Sequence, residues 1–227
     1  MTSCLQQAER KCSQAKFRLL KVIRLRVRDL EPLLNSHPEL VLVVLVRDPR
    51  ASLWSRMNVF QEKQAQNRPS SFVHSICNTL DDDITAAAEL HHRFPGRVKV
   101  LRYETLAEET MKTSLRLYRY LGLEWNHHVE NRVKMQTSAS NTSKRARVKD
   151  SVKVTAYSVV RKDSAKAARA WREVADWSFV ETAQEKCFGA MRQLGYRLFR
   201  SEADLRDNTT LSFSPDEVMI EDDIILQ

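Results

Sequence analysis

Seven consecutive apolar residues, Leu40-Val-Leu-Val-Val-Leu-Val46, run straight into Arg47-Asp48-Pro49. A strand with one face in water alternates apolar and polar residues; this run does not. It reads as a central strand of a parallel sheet covered by helices, and it is far short of the ~20 apolar residues that span a bilayer. Asp48 has the chemistry of a helix N-cap and Pro49 that of a first-turn proline, so a helix is expected to start there.

Other segments alternate in kind. Leu19–Leu25 reads as a short strand, followed by a helical stretch through Leu30, Leu33 and Leu34. Residues 72–94 carry Ile76, Leu80, Ile84, Ala87 and Leu90 on one helical stripe. After the Pro95-Gly96 turn, Val98–Tyr103 reads as a strand, and Thr105–Leu121 as a helix closed by Gly122. Strands alternating with helices predict an α/β layered fold. The Ser-, Thr- and Lys-rich residues 126–158 read as a long loop, and residues 165–194 as a last helical region ending at Gly195-Tyr196.

The net charge of +8 favours an anionic partner, but it is unevenly spread. Residues 201–227 hold eight acids against the single base Arg206, which leaves +15 on the first 200 residues. The expected organisation is therefore one domain over 1–200 with a disordered or loosely packed acidic tail over 201–227. With only four glycines, none within five residues of another, the chain contains neither a complete P-loop nor a dinucleotide fingerprint. Cys4, Cys12, Cys77 and Cys187 show no metal-ligand spacing, so no metal is expected. They permit either disulfides or buried thiols. The sequons at Asn141 and Asn208 would suit a secretory compartment. No signal peptide is evident at the start of the chain.

The chemistry concentrates in Val46–Arg56. Arg47 leaves the carboxyl end of a strand, where open α/β sheets bind ligands, and can offer a bidentate fork to a phosphate. Ser52, Ser55 and Arg56 share one face of the following helix, and its N-terminus adds a favourable partial charge for an anion. The alternative is a strand-to-helix turn with surface arginines. His91 and His92 point in different directions on a helix and read as surface histidines rather than a base or metal pair. Trp125, Trp171 and Trp177 read as core anchors. Lys144–Lys149 is a basic run that would suit a nucleic-acid patch, although no aromatic residues interleave it.

Leu45-Val46-Arg47-Asp48-Pro49-Arg50-Ala51, with Ser55-Arg56-Met57, resembles the 3′-phosphate-binding motif of Golgi carbohydrate sulfotransferases. The nearest group is that acting on the 6-O position of galactose, N-acetylglucosamine and N-acetylgalactosamine. Further segments follow in that family's order: Lys21–Arg24 with Leu30–Leu33, Cys77 with Asp83, Val100–Leu106, Leu117–Leu123, Ala170-Trp171-Arg172, and Cys187 with Leu194-Gly-Tyr196. The resemblance covers roughly Cys12 to Tyr196. It implies the donor 3′-phosphoadenosine 5′-phosphosulfate (PAPS), no metal, a glycan acceptor, no nucleic acid and a Golgi location. By the motif, Arg47 and Ser55 would hold the donor's 3′-phosphate.

It also implies a three-layer parallel sheet of the P-loop-related sulfotransferase type, truncated at its N-terminus. The family's 5′-phosphosulfate loop, stem and membrane anchor would precede Lys21 and are not among these residues, so activity of this chain is open and its catalytic residue unassigned. A non-catalytic remnant that binds partners is the alternative to an active transferase. Asp163 stands where the family often has Asn, which leaves Arg161 and Lys162 unassigned. Glu104 would end a strand beside Arg47, either orienting it or the acceptor, or serving as a first-turn acid. Lys21 and Arg24 either reach the cleft or lie on the surface. Cys77 and Cys187 become plausible neighbours, as a disulfide or as buried thiols.

Overall fold

The apolar run forms β1 (Leu42–Val46), which pairs in parallel with β2 (Val98–Arg102), Val46 lying opposite Arg102. The computed structural model describes residues 2–59, 70–137, 163–214 and 224–226. Around the two strands, in chain order, stand α1 (Thr2–Ser13), a 3₁₀ turn (Val27–Leu30), α2 (Glu31–Ser36), α3 (Pro49–Val59) and α4 (Ser70–Arg93). Then follow α5 (Tyr103–Glu108), α6 (Thr110–Tyr120), α7 (His127–Thr137), α8 (Ser164–Arg169), α9 (Trp171–Val174), α10 (Trp177–Lys186), α11 (Phe188–Gln193) and α12 (Glu202–Arg206).

The mixed α/β class is as expected, but the sheet is smaller. Among the described residues it has two strands, extended by a parallel bridge between Val100 and Ile225. β1 is not covered on both faces: Val46 is buried while Leu45 is 61% exposed. Leu19–Leu25 forms no strand. Leu19 and Leu20 are 92% and 80% exposed, because no ladder partner lies beside them among the described residues. Lys21 and Arg24 are exposed with them.

The core gathers where the apolar stripes meet. Ile84, Ala87 and Leu90 of α4 pack with Val46, Val98 and Val100 of the sheet and with Met191 and Leu194 of α11 and its end. Arg26 pins the 3₁₀ turn to α4, its Nε donating to Asp83 Oδ1 at 2.9 Å while the Val27 amide donates to the same oxygen at 3.0 Å. A disulfide joins Cys77 of α4 to Cys187, 110 residues later. The helices approach closely beside it. A Cβ at Gly189 would stand 2.8 Å from Asp81 Oδ1, so only glycine fits there without displacement.

Several boundaries differ from expectation. The helix expected over Thr105–Leu121 breaks at Glu109 into α5 and α6, with Gly122 at φ +64° closing the second. Within the expected long loop, His127–Thr137 is helical, started by the Asn126 side chain accepting from the His128 and Val129 amides. Lys144–Lys149, Arg161, Lys162 and the Asn141 sequon lie outside the described residues. The acidic stretch is not loosely packed where it is described. Leu205, Phe213 and Ile224 are buried, and the Val100 amide donates to Ile224 O while Leu226 N donates to Val100 O, both at 2.9 Å. Its charges made it look solvated, whereas Leu205, Phe213, Ile224 and Ile225 among its described residues are buried.

Candidate functional site

Parallel pairing aligns the carboxyl ends of β1 and β2, and both strands turn into helices there. Asp48, the residue after Arg47, caps α3 as the Asp-Pro pair predicts. Its Oδ1 accepts from the Arg50 amide at 3.0 Å. It does more than cap. Asp48 and Arg50 are both fully buried and form a bidentate pair, Arg50 Nε to Oδ1 at 2.9 Å and Nη2 to Oδ2 at 2.7 Å. Arg50 Nη1 donates onward to Gln184 Oε1 and Arg197 O at 2.7 and 2.8 Å, and its guanidinium lies 4.4 Å from the Phe199 ring centroid. Every strong donor of Arg50 is thus occupied by protein.

This corrects the expectation that the start of α3 is available to an anion. The Asp48 carboxylate already occupies the positive end of the helix.

Arg47 differs from Arg50. It is half-buried, its guanidinium carbon lies over the Tyr103 ring at 4.9 Å from the centroid, and its Nε is buried with no hydrogen-bond partner among the described residues. A buried, unpaired donor on a cation costs about 1–3 kcal/mol, so such a group calls for an acceptor supplied from elsewhere. An oxyanion fits that need, and with it the implied donor's 3′-phosphate. Ser55 is half-buried on α3, two turns into the helix, and is not hydrogen-bonded to Arg47. Arg47 precedes α3 and Ser55 lies within it.

Glu104 stands in the first turn of α5, as one of its two expected readings has it. It does not contact the Arg47 guanidinium, and it is more than a first-turn acid. It is 3% exposed, with Oε1 accepting from the Asp48 amide at 3.0 Å and Oε2 from the Tyr196 hydroxyl at 2.8 Å. Burial, followed by the nearby Asp48 carboxylate, pushes the Glu104 carboxyl up, against the hydrogen bonds from the Asp48 amide, the Tyr196 hydroxyl and its own amide that favour its ionised form. Burial likewise drives the Tyr196 hydroxyl well above the ordinary tyrosine value, with Glu104 and Asp48 adding to it.

A group raised in the folded state stabilises the fold fully below its unfolded value and loses that contribution as pH rises through the folded one. Glu104→Gln removes this titration. The stability of the variant relative to the parent is therefore expected to improve as pH is raised from about 4 toward neutrality. Thermal melts of both proteins across that range test it, and parallel curves would refute it.

The remaining candidates resolve into structural parts. His91 is not a surface residue: it is buried, with Nδ1 bonded to Val98 O at 2.9 Å. Asp163 caps α8, accepting from the Lys166 amide at 2.9 Å. Trp171 is buried against Phe199, Trp177 packs at the edge of the same cluster, and Trp125 meets Tyr118 edge-on at 5.1 Å. Arg172, in the Ala-Trp-Arg segment, is fully buried and donates to the carbonyls of Leu205, Asp207 and Thr210 at 2.6–2.8 Å. Arg50, Arg172 and Tyr196 are the members that sequence reasoning missed. A polar or charged side chain reads as solvated unless its partner is known, and apart from Asp48 beside Arg50 those partners lie tens of residues away.

A cavity of about 440 Å³ lies elsewhere, lined in part by Trp177, Glu181, Phe188 and Arg200, and includes neither Arg47 nor Ser55. Among the described residues no group of three His, Cys, Asp or Glu side chains could hold a metal ion, and no helix is long and apolar enough to cross a membrane.

Comparison with known proteins bears on most of the chain. Residues 2–127 match the model of the family described as "Sulfotransferase family". The chain is 28% identical over 211 residues to carbohydrate sulfotransferase 1 of Mus musculus, covering 86% of this chain and 49% of that protein. It is 30% identical over 220 residues to carbohydrate sulfotransferase 5 of Mus musculus, covering 88% and 53%. With carbohydrate sulfotransferase 3 of Homo sapiens it shares 29% identity over 214 residues, covering 87% and 42%. The chain thus spans about half the length of the curated relatives it matches. No solved structure matches it significantly.

Proposed function

Because this chain belongs to the sulfotransferase family, we propose that it carries the 3′-phosphate end of a PAPS site in a carbohydrate sulfotransferase. The reaction would break the bond between sulfur and the donor's phosphate oxygen and form one to a sugar hydroxyl, with the 6-O position of GlcNAc, Gal or GalNAc as acceptor. The transferred group resembles a phosphoryl in charge and shape, so positioning and charge stabilisation dominate the catalysis. Carbohydrate sulfotransferases are the relatives found. The observation that carries the reading is the buried, unpartnered Nε of Arg47 at the carboxyl end of β1.

Arg47 and Ser55 are assigned the 3′-phosphate, a selectivity device rather than the reaction centre. The two-stranded sheet is read as part of a larger three-layer sheet of the P-loop-related type. The exposed face of β1 at Leu45 supports this. A Golgi location is supported by the Cys77–Cys187 disulfide, which persists in oxidising compartments. The alternative reading is a nucleotide-binding protein without transfer activity. Transfer of labelled sulfate from PAPS to a GlcNAc-terminated acceptor separates the two.

The 3′-phosphate role is tested by titrating 3′,5′-ADP against 5′-AMP. The parent chain is expected to prefer 3′,5′-ADP, and Arg47→Ala to lose about 2–4 kcal/mol of that binding while leaving 5′-AMP unchanged. Equal affinity of the parent for both nucleotides would overturn the assignment.

A further inference from the structure

Val46 is paired with Arg102, so the next residues out of the two strands, Arg47 and Tyr103, emerge side by side at the carboxyl end of the sheet. The following pair is joined as well, Glu104 Oε1 accepting from the Asp48 amide. The Tyr103-Glu104 dipeptide therefore holds the Arg47-Asp48 dipeptide at two levels. The carboxylate fixes the backbone, and the ring lies 4.9 Å from the guanidinium carbon. Glu104 is itself fixed from behind by the Tyr196 hydroxyl, so the backbone grip is braced by buried groups on both sides.

The geometry points to Tyr103 as the positioning residue of Arg47, and through it as the residue that sets preference for a nucleotide bearing a 3′-phosphate. This rests on the anion role proposed for Arg47. An aromatic face is electron-rich and repels a phosphate, so Tyr103 is suited to holding the cation and not the anion. Arginine on a free stem pays rotamer entropy each time it closes on a ligand. A guanidinium already held over a ring pays less, which is where a restrained fork-shaped donor gains over an unrestrained one. The Asp48–Arg50 pair cannot substitute, since both its partners are committed to each other.

The test compares the affinity ratio for 3′,5′-ADP over 5′-AMP in the full chain with Tyr103 intact, as Tyr103→Phe and as Tyr103→Leu. Isothermal titration calorimetry is the readout and Arg47→Ala the reference. Tyr103→Phe keeps the ring and is expected to keep the ratio within about twofold. Tyr103→Leu is expected to lower the ratio about five- to tenfold through weaker 3′,5′-ADP binding, with 5′-AMP affinity unchanged. Tyr103→Met, similar in reach but without a ring, takes its place should the leucine variant not fold. A leucine variant that keeps the parent ratio, or that weakens both nucleotides in parallel, overturns the positioning role while leaving Arg47's own role standing. A parent chain that does not distinguish the nucleotides, or an Arg47→Ala variant that does so as well as the parent, overturns both.

Discussion

Asp48→Ala is expected to cost about 3–5 kcal/mol of stability, as removing one partner of a buried ion pair does. The loss comes chiefly from Arg50. Its guanidinium is fully buried, and Asp48 accepts three of its donors, the amide, Nε and Nη2. Gln184 Oε1 and Arg197 O serve Nη1 and leave Nε and Nη2 to Asp48. Asp48→Asn keeps one acceptor oxygen and the cap, and should lose less. The double variant Asp48→Ala/Arg50→Met removes both charges and should recover part of the loss, since an apolar replacement of a whole pair is often close to neutral. Urea unfolding of the four proteins measures this. A loss below about 1 kcal/mol for Asp48→Ala would mean that Arg50 finds solvent or another partner.

Loss of the Cys77–Cys187 bond is the second large effect. The bond closes a loop of 110 residues between α4 and α11, and loops of that size correspond to about 4–5 kcal/mol in the chain-entropy account, with 2–5 typical on removal. Both cysteines are 1% exposed, so Cys77→Ala/Cys187→Ala leaves small apolar groups in place and adds little beyond the lost link. For a chain of this size the melting temperature should fall by roughly 5–20 °C. Reductant should lower the parent's melting temperature by a similar amount and leave the double variant unmoved. A parent insensitive to reductant would show that the bond carries no stability. Cys4 and Cys12, exposed and free on α1, provide no substitute pairing in the folded chain.

What could be read from the sequence was local. The apolar run, the Asp48-Pro49 start of α3 and the Ile84–Leu90 stripe of α4 depend on spacings of a few residues, and each stands where it was expected. Leu19–Leu25 has the composition of a strand, but a strand is a pairing, and nothing in seven residues reveals whether an edge will be beside them. In the acidic stretch the charges hide the apolar residues between them, and Phe213 and Ile224 are buried. Arg47 was visible because a strand end is a local feature. Its support was not. Tyr196 reaches Glu104 across 92 positions, and Gln184 reaches Arg50 across 134. Such contacts leave no periodic trace, and a glutamate or arginine read alone looks like surface.

The backbone of Ile224–Leu226 against Val100 has a consequence for synthesis on the ribosome. Val100 leaves the exit tunnel long before its partner has been translated. At ~5–20 residues per second, the far edge of β2 waits for on the order of ten seconds with its amides and carbonyls unpaired. During that interval the nascent chain presents an open strand edge next to the apolar residues that will become its core. Chaperones that shield such edges co-translationally are therefore expected to engage this chain between the emergence of β2 and its release.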